Sequence, residues 1–471
     1  MNTFVDAIQK TAKNKTVTTN GMKAFLSTKN ACVDLFYKIG ASRGQDMSSL
    51  FLAAYNEDRE IALRILQWAR DIRGGAGQRQ VFRDLLNRLS VSNPEDAILV
   101  ARKIPEIGRW DDLLALSSSK LRNEVTLPLI KEALRSGNGL AAKWMPRQGA
   151  VAAQLREAMG MSPKMWRKTL VELTKVVEQQ MCAKDWDNIN FSHVPSLAHS
   201  RYKKAFHRNS PVVYGAYAQA LADKTSTVKI NAGAVYPFDI LKTRGSTAVA
   251  EQQVMIAQWD ALPNYLGDEK ILALVDVSGS MSIPVSPKSK VTAMDVAVSL
   301  GLYVADKLEG PFKDTFLTFS VSPKLLHLKG NILDKMGQMI TSDWSMNTNL
   351  EAAFELILRT AVKGKVSKDQ MPEILLIFSD MQFDQCVRGA DDSALKMIRK
   401  QYEEAGYGMP KVVFWNLSPS YGNVPAKSDK EGVALVSGFS PAIVKSILSA
   451  ADFSPAGIML ETVMVPRYDL T

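Results

Sequence analysis

The chain has little cysteine, little histidine and no long apolar run. Cys32, Cys182 and Cys386 are three residues in 471, odd in number and far apart. That excludes a disulfide scaffold and fits a reducing compartment. No segment approaches the roughly 20 consecutive apolar residues of a membrane-spanning helix. Met1–Asp6 lacks a basic stretch followed by an apolar one, so no signal peptide is expected and the cytoplasm is the expected location. His193, His199 and His207 fall near one another but at no i, i+4 spacing, with no cysteine beside them, which predicts no zinc site. A Gly-x-Ser-x-Gly elbow and a Gly-x-x-x-x-Gly-Lys phosphate loop are both absent, and no Cys–His pair stands out. The expectation is therefore a protein that is not an enzyme.

What is present is ordinary globular composition with an uneven charge. Hydrophobic residues make up 46% and charged residues 23% of the chain, so a folded protein is expected, and the length suggests about three domains. The net charge is +10, from 58 Lys and Arg against 48 Asp and Glu. Residues 1–250 hold 37 basic and 22 acidic side chains, a net of +15, and residues 251–471 hold 21 and 26, a net of −5. A positive field over one half attracts polyanions, nucleic acid first among them.

The apolar spacing divides the chain in the same way. From about Met22 to Leu221 it is helical: Ser49–Arg70 carries i, i+3, i+4 apolar pairs, Gly74-Gly75-Ala76-Gly77 follows as a stop, and Asn93-Pro94 and Ser162-Pro163 read as helix starts, the latter before a helical stretch Met165–Met181. Many short helices without β-rich runs predict an α-helical solenoid of HEAT-like stacked pairs. Beyond about residue 265 short apolar runs, Ile271–Val277, Asp314–Phe319, Glu373–Phe378 and Lys411–Asn416, alternate with helical stretches Val291–Leu308, Leu350–Val362 and Ala394–Ala405. That alternation predicts a parallel sheet covered on both faces, a Rossmann-like α/β layout. The expected domains are 1–230, a connecting segment 231–266, and 267–471.

The sharpest chemistry is a set of hard oxygen ligands. The first strand ends in Asp276-Val277-Ser278-Gly279-Ser280, another loop holds Asn347-Thr348-Asn349 before a helix, and a later strand ends in Ser379-Asp380. Ligands of open α/β sheets bind beyond the carboxyl ends of the strands. Asp276, Ser278, Ser280, Thr348 and Asp380 suit Mg²⁺ or Mn²⁺ better than Zn²⁺. The alternative role for these residues is in caps and turns. The set resembles the metal-ion-dependent adhesion site of von Willebrand factor type A domains. The resemblance implies Ser278, Ser280 and Thr348 as direct ligands, with Asp276 and Asp380 acting through water. It also implies an open metal position for an acidic side chain of a protein partner.

The resemblance extends over most of the chain. Tyr55-Asn56-Glu57-Asp58, Arg70-Asp71-Ile72-Arg73-Gly74-Gly75-Ala76-Gly77, Gly108-Arg109-Trp110-Asp111-Asp112-Leu113, Lys143-Trp144-Met145-Pro146, Trp186-Asp187-Asn188-Ile189, His193-Val194-Pro195-Ser196 and Phe378-Ser379-Asp380-Met381 carry it. A basic helical region followed by such an α/β domain resembles the Ro ribonucleoprotein family, with its TROVE module, and more closely a family of uncharacterised proteins of the same layout. The helical part is shorter than a complete Ro ring. The Ro resemblance implies binding of structured RNA by the helical part.

Two basic segments are candidates for that contact. In 199–208, Arg201, Lys204 and Arg208 share one helical face beside Lys203, with Tyr202 and Phe206 on the adjoining face, where core packing is the expected role. In 70–79, Arg73 and Arg79 flank glycines before a helix N-terminus, a place that favours anions, although interlocking contacts of Arg70, Asp71 and Arg73 between helices are the stronger expectation there. The reading that results is an RNA-binding, Ro-like protein with a Mg²⁺-dependent partner site. The alternatives are a protein-interaction or assembly scaffold and, less favoured, a metal-dependent nuclease.

Overall fold

A computed structural model gives the fold and describes residues 14–241, 248–286, 289–319, 323–341, 349–383, 394–418 and 423–470. The chain joins a helical N-terminal region to a C-terminal mixed sheet, an α plus α/β architecture. Its contacts divide into two compact units. An α/β unit gathers Met1–Ile61, Val235–Arg244 and Leu262–Val465, and a helical unit gathers Ala62–Ala234, Gly245–Ala261 and Pro466–Thr471.

In the α/β unit, β1 (Lys15–Val17) and β2 (Lys23–Phe25) form an antiparallel hairpin. The main sheet contains β3 (Ile271–Val275), β4 (Thr315–Thr318), β5 (Leu325–His327), β6 (Ile374–Ser379), β7 (Lys411–Asn416) and β8 (Val433–Ser437), in the order β5-β4-β3-β6-β7-β8. All neighbours are parallel except β4 and β5. β3, β6 and β8 are buried along their whole length, which is why they read as continuous apolar runs rather than alternating ones. Leu272, Leu274, Leu375, Ile377 and Phe414 share a core with Phe354 and Ile357 of the helix Leu350–Gly364 and with Tyr402 of the helix Ala394–Glu404. Val275 points to the other face. There Gly301 of the helix Ala293–Lys307 comes so close that a Cβ would stand 2.3 Å from Val275 Cγ2.

From β3 the chain runs outward to β4 and β5, then returns to place β6 on the other side of β3. The carboxyl ends of β3 and β6 therefore form a topological switch point, the place where open α/β sheets bind ligands.

The helical unit contains, among others, Arg79–Ser92, Pro94–Arg102, Leu127–Arg135, Pro163–Leu173, Ser196–Asn209, Pro211–Ala222 and Val249–Asp260. Residues 62–234 contain no strand. Pro94 and Pro163 open helices as expected, and Ser162 Oγ accepts from Met165 N at 3.2 Å. Among the described residues no helix is long and apolar enough to cross a membrane.

Three expectations are corrected. The segment 49–70 is two helices, Ser48–Glu57 and Arg59–Arg70, because Asp58 is extended and its carboxylate caps the second by accepting from Ile61 N at 2.9 Å. The helix after Ser162 stops at Leu173, where Thr174 turns extended. The units are also not the contiguous 1–230, 231–266 and 267–471. The helix Ala31–Ile39 buries Val33, Leu35, Phe36 and Ile39 completely and packs on β8, so residues 14–61 belong with the sheet. The last six residues join the helical unit instead, where Arg467 and Tyr468 donate to the Asp71 carboxylate.

Gly40 follows that first helix, and Ser437 at the end of β8 receives it. Gly40 N donates to Ser437 Oγ at 3.0 Å, and a Cβ on Gly40 would lie 2.5 Å from the Ser437 carbonyl oxygen. Gly40→Ala is expected to destabilise the α/β unit by about 1–3 kcal/mol through overpacking, read from urea unfolding. An unchanged midpoint would show that the N-terminal helix is not seated there.

Candidate functional site

The oxygen cluster is built by strand register. Val275 pairs with Phe378, so the next residues, Asp276 and Ser379, leave the sheet side by side. Asp276 N donates to Phe378 O at 3.0 Å, and Ser379 Oγ donates to Asp276 Oδ2 at 2.6 Å. The other carboxylate oxygen, Asp276 Oδ1, accepts from Ser278 N at 2.9 Å. Ser278 and Ser280 hydroxyls lie 3.0 Å apart on the short turn that follows. Asp380 Oδ1 accepts from Gln382 N at 3.1 Å, while its buried Oδ2 has no hydrogen-bond partner among the described residues. Of the predicted ligands the structure thus gathers Asp276, Ser278, Ser280 and Asp380. Thr348 lies outside the described residues, and the neighbouring Asn349 caps the next helix by accepting from Ala352 N at 3.0 Å. Ser379 was not among the predicted ligands. Its signal was only its place beside Asp380 at the strand end, and its role is to hold the Asp276 carboxylate.

The electrostatics follow from burial. Asp276 is fully buried. Burial, and after it the negative charge of Asp380, pushes its carboxyl up to about 6, against the pull of Ser379 and Ser278. Burial also raises Asp380, against the pull of the Ser280 hydroxyl. Two buried carboxylates facing each other are costly when both are ionised. A hard cation relieves that cost, and an orphaned carboxylate oxygen beside two hydroxyls is a donor set of the right chemistry. The residues present fit a divalent ion. Among the described residues no group of three or more His, Cys, Asp or Glu could hold a metal ion, here or elsewhere, so the set rests on two carboxylates and hydroxyls.

The basic segment 196–209 is a helix with two different faces. Arg201, Lys204 and Arg208 are exposed, and none makes an ion pair among the described residues. Lys203 corrects the expectation: it is 3% exposed, its ammonium donates to Met255 Sδ at 3.4 Å, and burial brings it down to about 8. It cannot reach a phosphate from there. Phe206 packs edge-on to Phe191 at 5.2 Å, and His199 stacks on Tyr217 at 5.7 Å. Both aromatics of the segment turn toward that cluster, with Tyr202 and Phe206 centroids 6.1 Å apart. Burial, and after it the charge of Lys203, lowers His199 to about 4.

The second basic segment is mainly architecture. Arg70, 2% exposed, donates through Nε to Asp112 Oδ2 at 2.8 Å. Asp112, fully buried, also accepts from Arg83 Nε at 2.7 Å and from Arg109 N at 2.9 Å. The Arg109 guanidinium lies 3.8 Å from the Trp144 ring centre, a cation–π contact. Gly108 permits this approach, since a Cβ there would lie 2.7 Å from Asp112 Oδ2. Arg73 and Arg79 are exposed, but Arg73 Nη1 is committed to Glu106 O at 3.4 Å. Arg79 is lowered by burial and by the like charges of Arg109 and Arg83.

The raised carboxyl of Asp276 has a sign that can be tested. Its folded value lies above the unfolded one, so ionisation in the metal-free chain costs stability, fully above about pH 6 and not below about pH 4. Asp276→Asn is expected to raise metal-free stability at pH 7 by about 1–3 kcal/mol, a gain that disappears near pH 4. Melting curves at the two pH values check it, and an equal effect at both would reject the buried-charge account.

Comparison with known proteins places these features in a family. Residues 18–125 and 151–270 match a domain of unknown function (DUF2828), and residues 270–463 match another (DUF7788). In solved structures, the crystal structure of the Deinococcus radiodurans Ro (RSR) protein is similar at 14% identity, covering 92% of this chain and 87% of that one, with a TM-score of 0.37. A likeness of that size carries no argument about fold or function. The "Uncharacterized protein L728" of Acanthamoeba polyphaga mimivirus is 30% identical over 505 residues, 95% of this chain and 87% of the viral protein. The chain belongs to the family of that viral protein.

Proposed function

We propose that this is an RNA-binding protein whose helical unit takes RNA by its phosphates and whose α/β unit holds Mg²⁺ or Mn²⁺ for an acidic partner. The observation that carries the RNA reading is where the charge lies. The helical unit has 28 Lys and Arg against 18 Asp and Glu, a net of +10, whereas the α/β unit has 30 of each and a net of zero. Arg201, Lys204 and Arg208 project from one face of the helix Ser196–Asn209 into solvent, the disposition that neutralises a phosphate chain without reading bases. Arg79 and Arg73 are secondary candidates, and Lys203 is withdrawn from the set. In this reading the helical unit is a Ro-like solenoid and the sheet a von Willebrand factor type A-like domain.

At the switch point, Ser278, Ser280 and Asp380, with Asp276 behind them, are the residues that would hold the ion, and Thr348 completes the proposed set. Bound there, the ion would supply an open coordination position for a carboxylate of a partner protein. Hydroxyls and few charges favour capture of a ligand over hydrolysis, so the reading is non-enzymatic. A protein-assembly scaffold is the second reading, favoured by the same hydroxyl-rich donor set should the basic face prove to bind acidic protein.

Two measurements test this. A fluorescently labelled single-stranded RNA is expected to bind with a steep salt dependence. Changing Arg201, Lys204 and Arg208 together to Glu is expected to weaken binding more than tenfold and to flatten the slope by about 2 units, at roughly 0.7 per phosphate contact. Binding that ignores both salt and the triple change would turn the choice to the scaffold. Calorimetric titration with Mn²⁺ is expected to give one site in the parent and none in Asp276→Ala, whose RNA affinity stays unchanged. Equal Mn²⁺ affinity in both would remove the metal assignment.

A further inference from the structure

We propose that the N-terminal hairpin is a positioning element for the Asp380 loop. Thr18 and Asn20, acting through Gln382 and Phe383, set how well that loop holds a divalent cation. The inference rests on the metal reading above, but its observations lie elsewhere in the α/β unit. Asp380 leaves β6 on a tight turn in which Gln382 N caps its Oδ1 at 3.1 Å. Met381, between them, has a φ of 67°, a left-handed conformation that a side chain of this size rarely adopts. Such a backbone persists where the surroundings over-determine it.

Those surroundings are the turn between β1 and β2. Thr18 Oγ1 donates to Phe383 O at 2.6 Å and accepts from Met22 N at 2.9 Å, so one hydroxyl ties the hairpin to the loop. Thr19 N donates to Gln382 Oε1 at 2.7 Å, and Asn20 Nδ2 donates to Gln382 O at 2.8 Å. Met22 is buried in the same core as Met381 and Phe383. The hairpin is itself anchored, because Phe25 and Val424 exchange backbone hydrogen bonds of 2.9 and 2.8 Å. The Gln382 backbone is thus held at its carbonyl by Asn20 Nδ2 while its N–H donates to Asp380 Oδ1. None of these bonds touches Asp380 directly. β6 keeps its pairing with β3 and β7 through its own backbone, so loosening the clamp leaves the sheet in place and changes only how firmly the second carboxylate is aimed.

The test is Mn²⁺ titration calorimetry on the full chain carrying Thr18→Val with Asn20→Ala, and on Thr18→Val and Thr18→Ser alone. The double variant is expected to bind Mn²⁺ about five- to tenfold more weakly, the worth of about one hydrogen bond. Thr18→Ser, which keeps the hydroxyl, is expected to bind like the parent while Thr18→Val does not. A double variant with parental affinity, in a protein whose Asp276→Ala variant binds nothing, would overturn the positioning role and leave the metal site standing. A parent that binds no Mn²⁺ would overturn both. Thr18→Ser as weak as Thr18→Val would overturn the part given to the hydroxyl. Should the double variant not fold, hydrogen exchange in the parent decides. Coupling is reciprocal, so Mn²⁺ is expected to slow exchange of the Met22 and Phe25 amides, and unchanged exchange would overturn the proposal.

Discussion

The parallel pairing of β3 with β6 is the constraint on which the rest of the α/β unit depends. Its register sets Val275 against Phe378, and that alignment alone brings Asp276 beside Ser379 and Asp380 out of the sheet, though they are a hundred residues apart in the chain. Both strands are buried on both faces, so a slip of one residue would expose no more apolar side chains but would separate the carboxylates. The close seat of Gly301 on Val275 helps to fix β3 against its covering helix. The chemistry at the switch point is thus a consequence of backbone pairing between the two most apolar strands.

In the helical unit the corresponding interaction is the buried Asp112. It holds Arg70 and Arg83 and caps its own helix through Arg109 N, while Asp71 holds Arg467 and Tyr468 from the end of the chain. Breaking such a buried pair leaves an uncompensated charge and is far costlier than losing a surface ion pair. The cations of this unit therefore serve two ends. Those at Arg70 and Arg83 are committed to architecture. Those at Arg201, Lys204 and Arg208 have no internal partner among the described residues and carry the field that faces solvent. The residues Gly108 to Leu113, a conspicuous motif in the chain, are explained by this network rather than by ligand binding.

The contrast between Lys203 and Lys204 shows how local that division is. They are neighbours on one helix, yet one faces Met255 and the aromatic cluster while the other faces water. Burial lowers the Lys203 ammonium, while the Lys204 side chain lies exposed. Composition counts them equally, and only packing separates a solvent-facing cation from a core one.

Amino-acid order by itself determined the α plus α/β division, the four apolar strands Ile271–Val277, Asp314–Phe319, Glu373–Phe378 and Lys411–Asn416 to within two residues at each end, and the oxygen-bearing side chains Asp276, Ser278, Ser280 and Asp380 beyond the strand ends. These rest on short-range properties: apolar runs, helical spacing, and hydroxyls or carboxylates at strand ends. It also located the basic excess. Tertiary structure alone decided that residues 14–61 pack with the sheet, that β5 and β8 complete it, that Lys203 is buried, that Ser379 holds the Asp276 carboxylate, and that the hairpin bonds to Gln382 and Phe383. Each of those depends on packing against another element or on the solvent exposure of one face, and neither is encoded in local spacing.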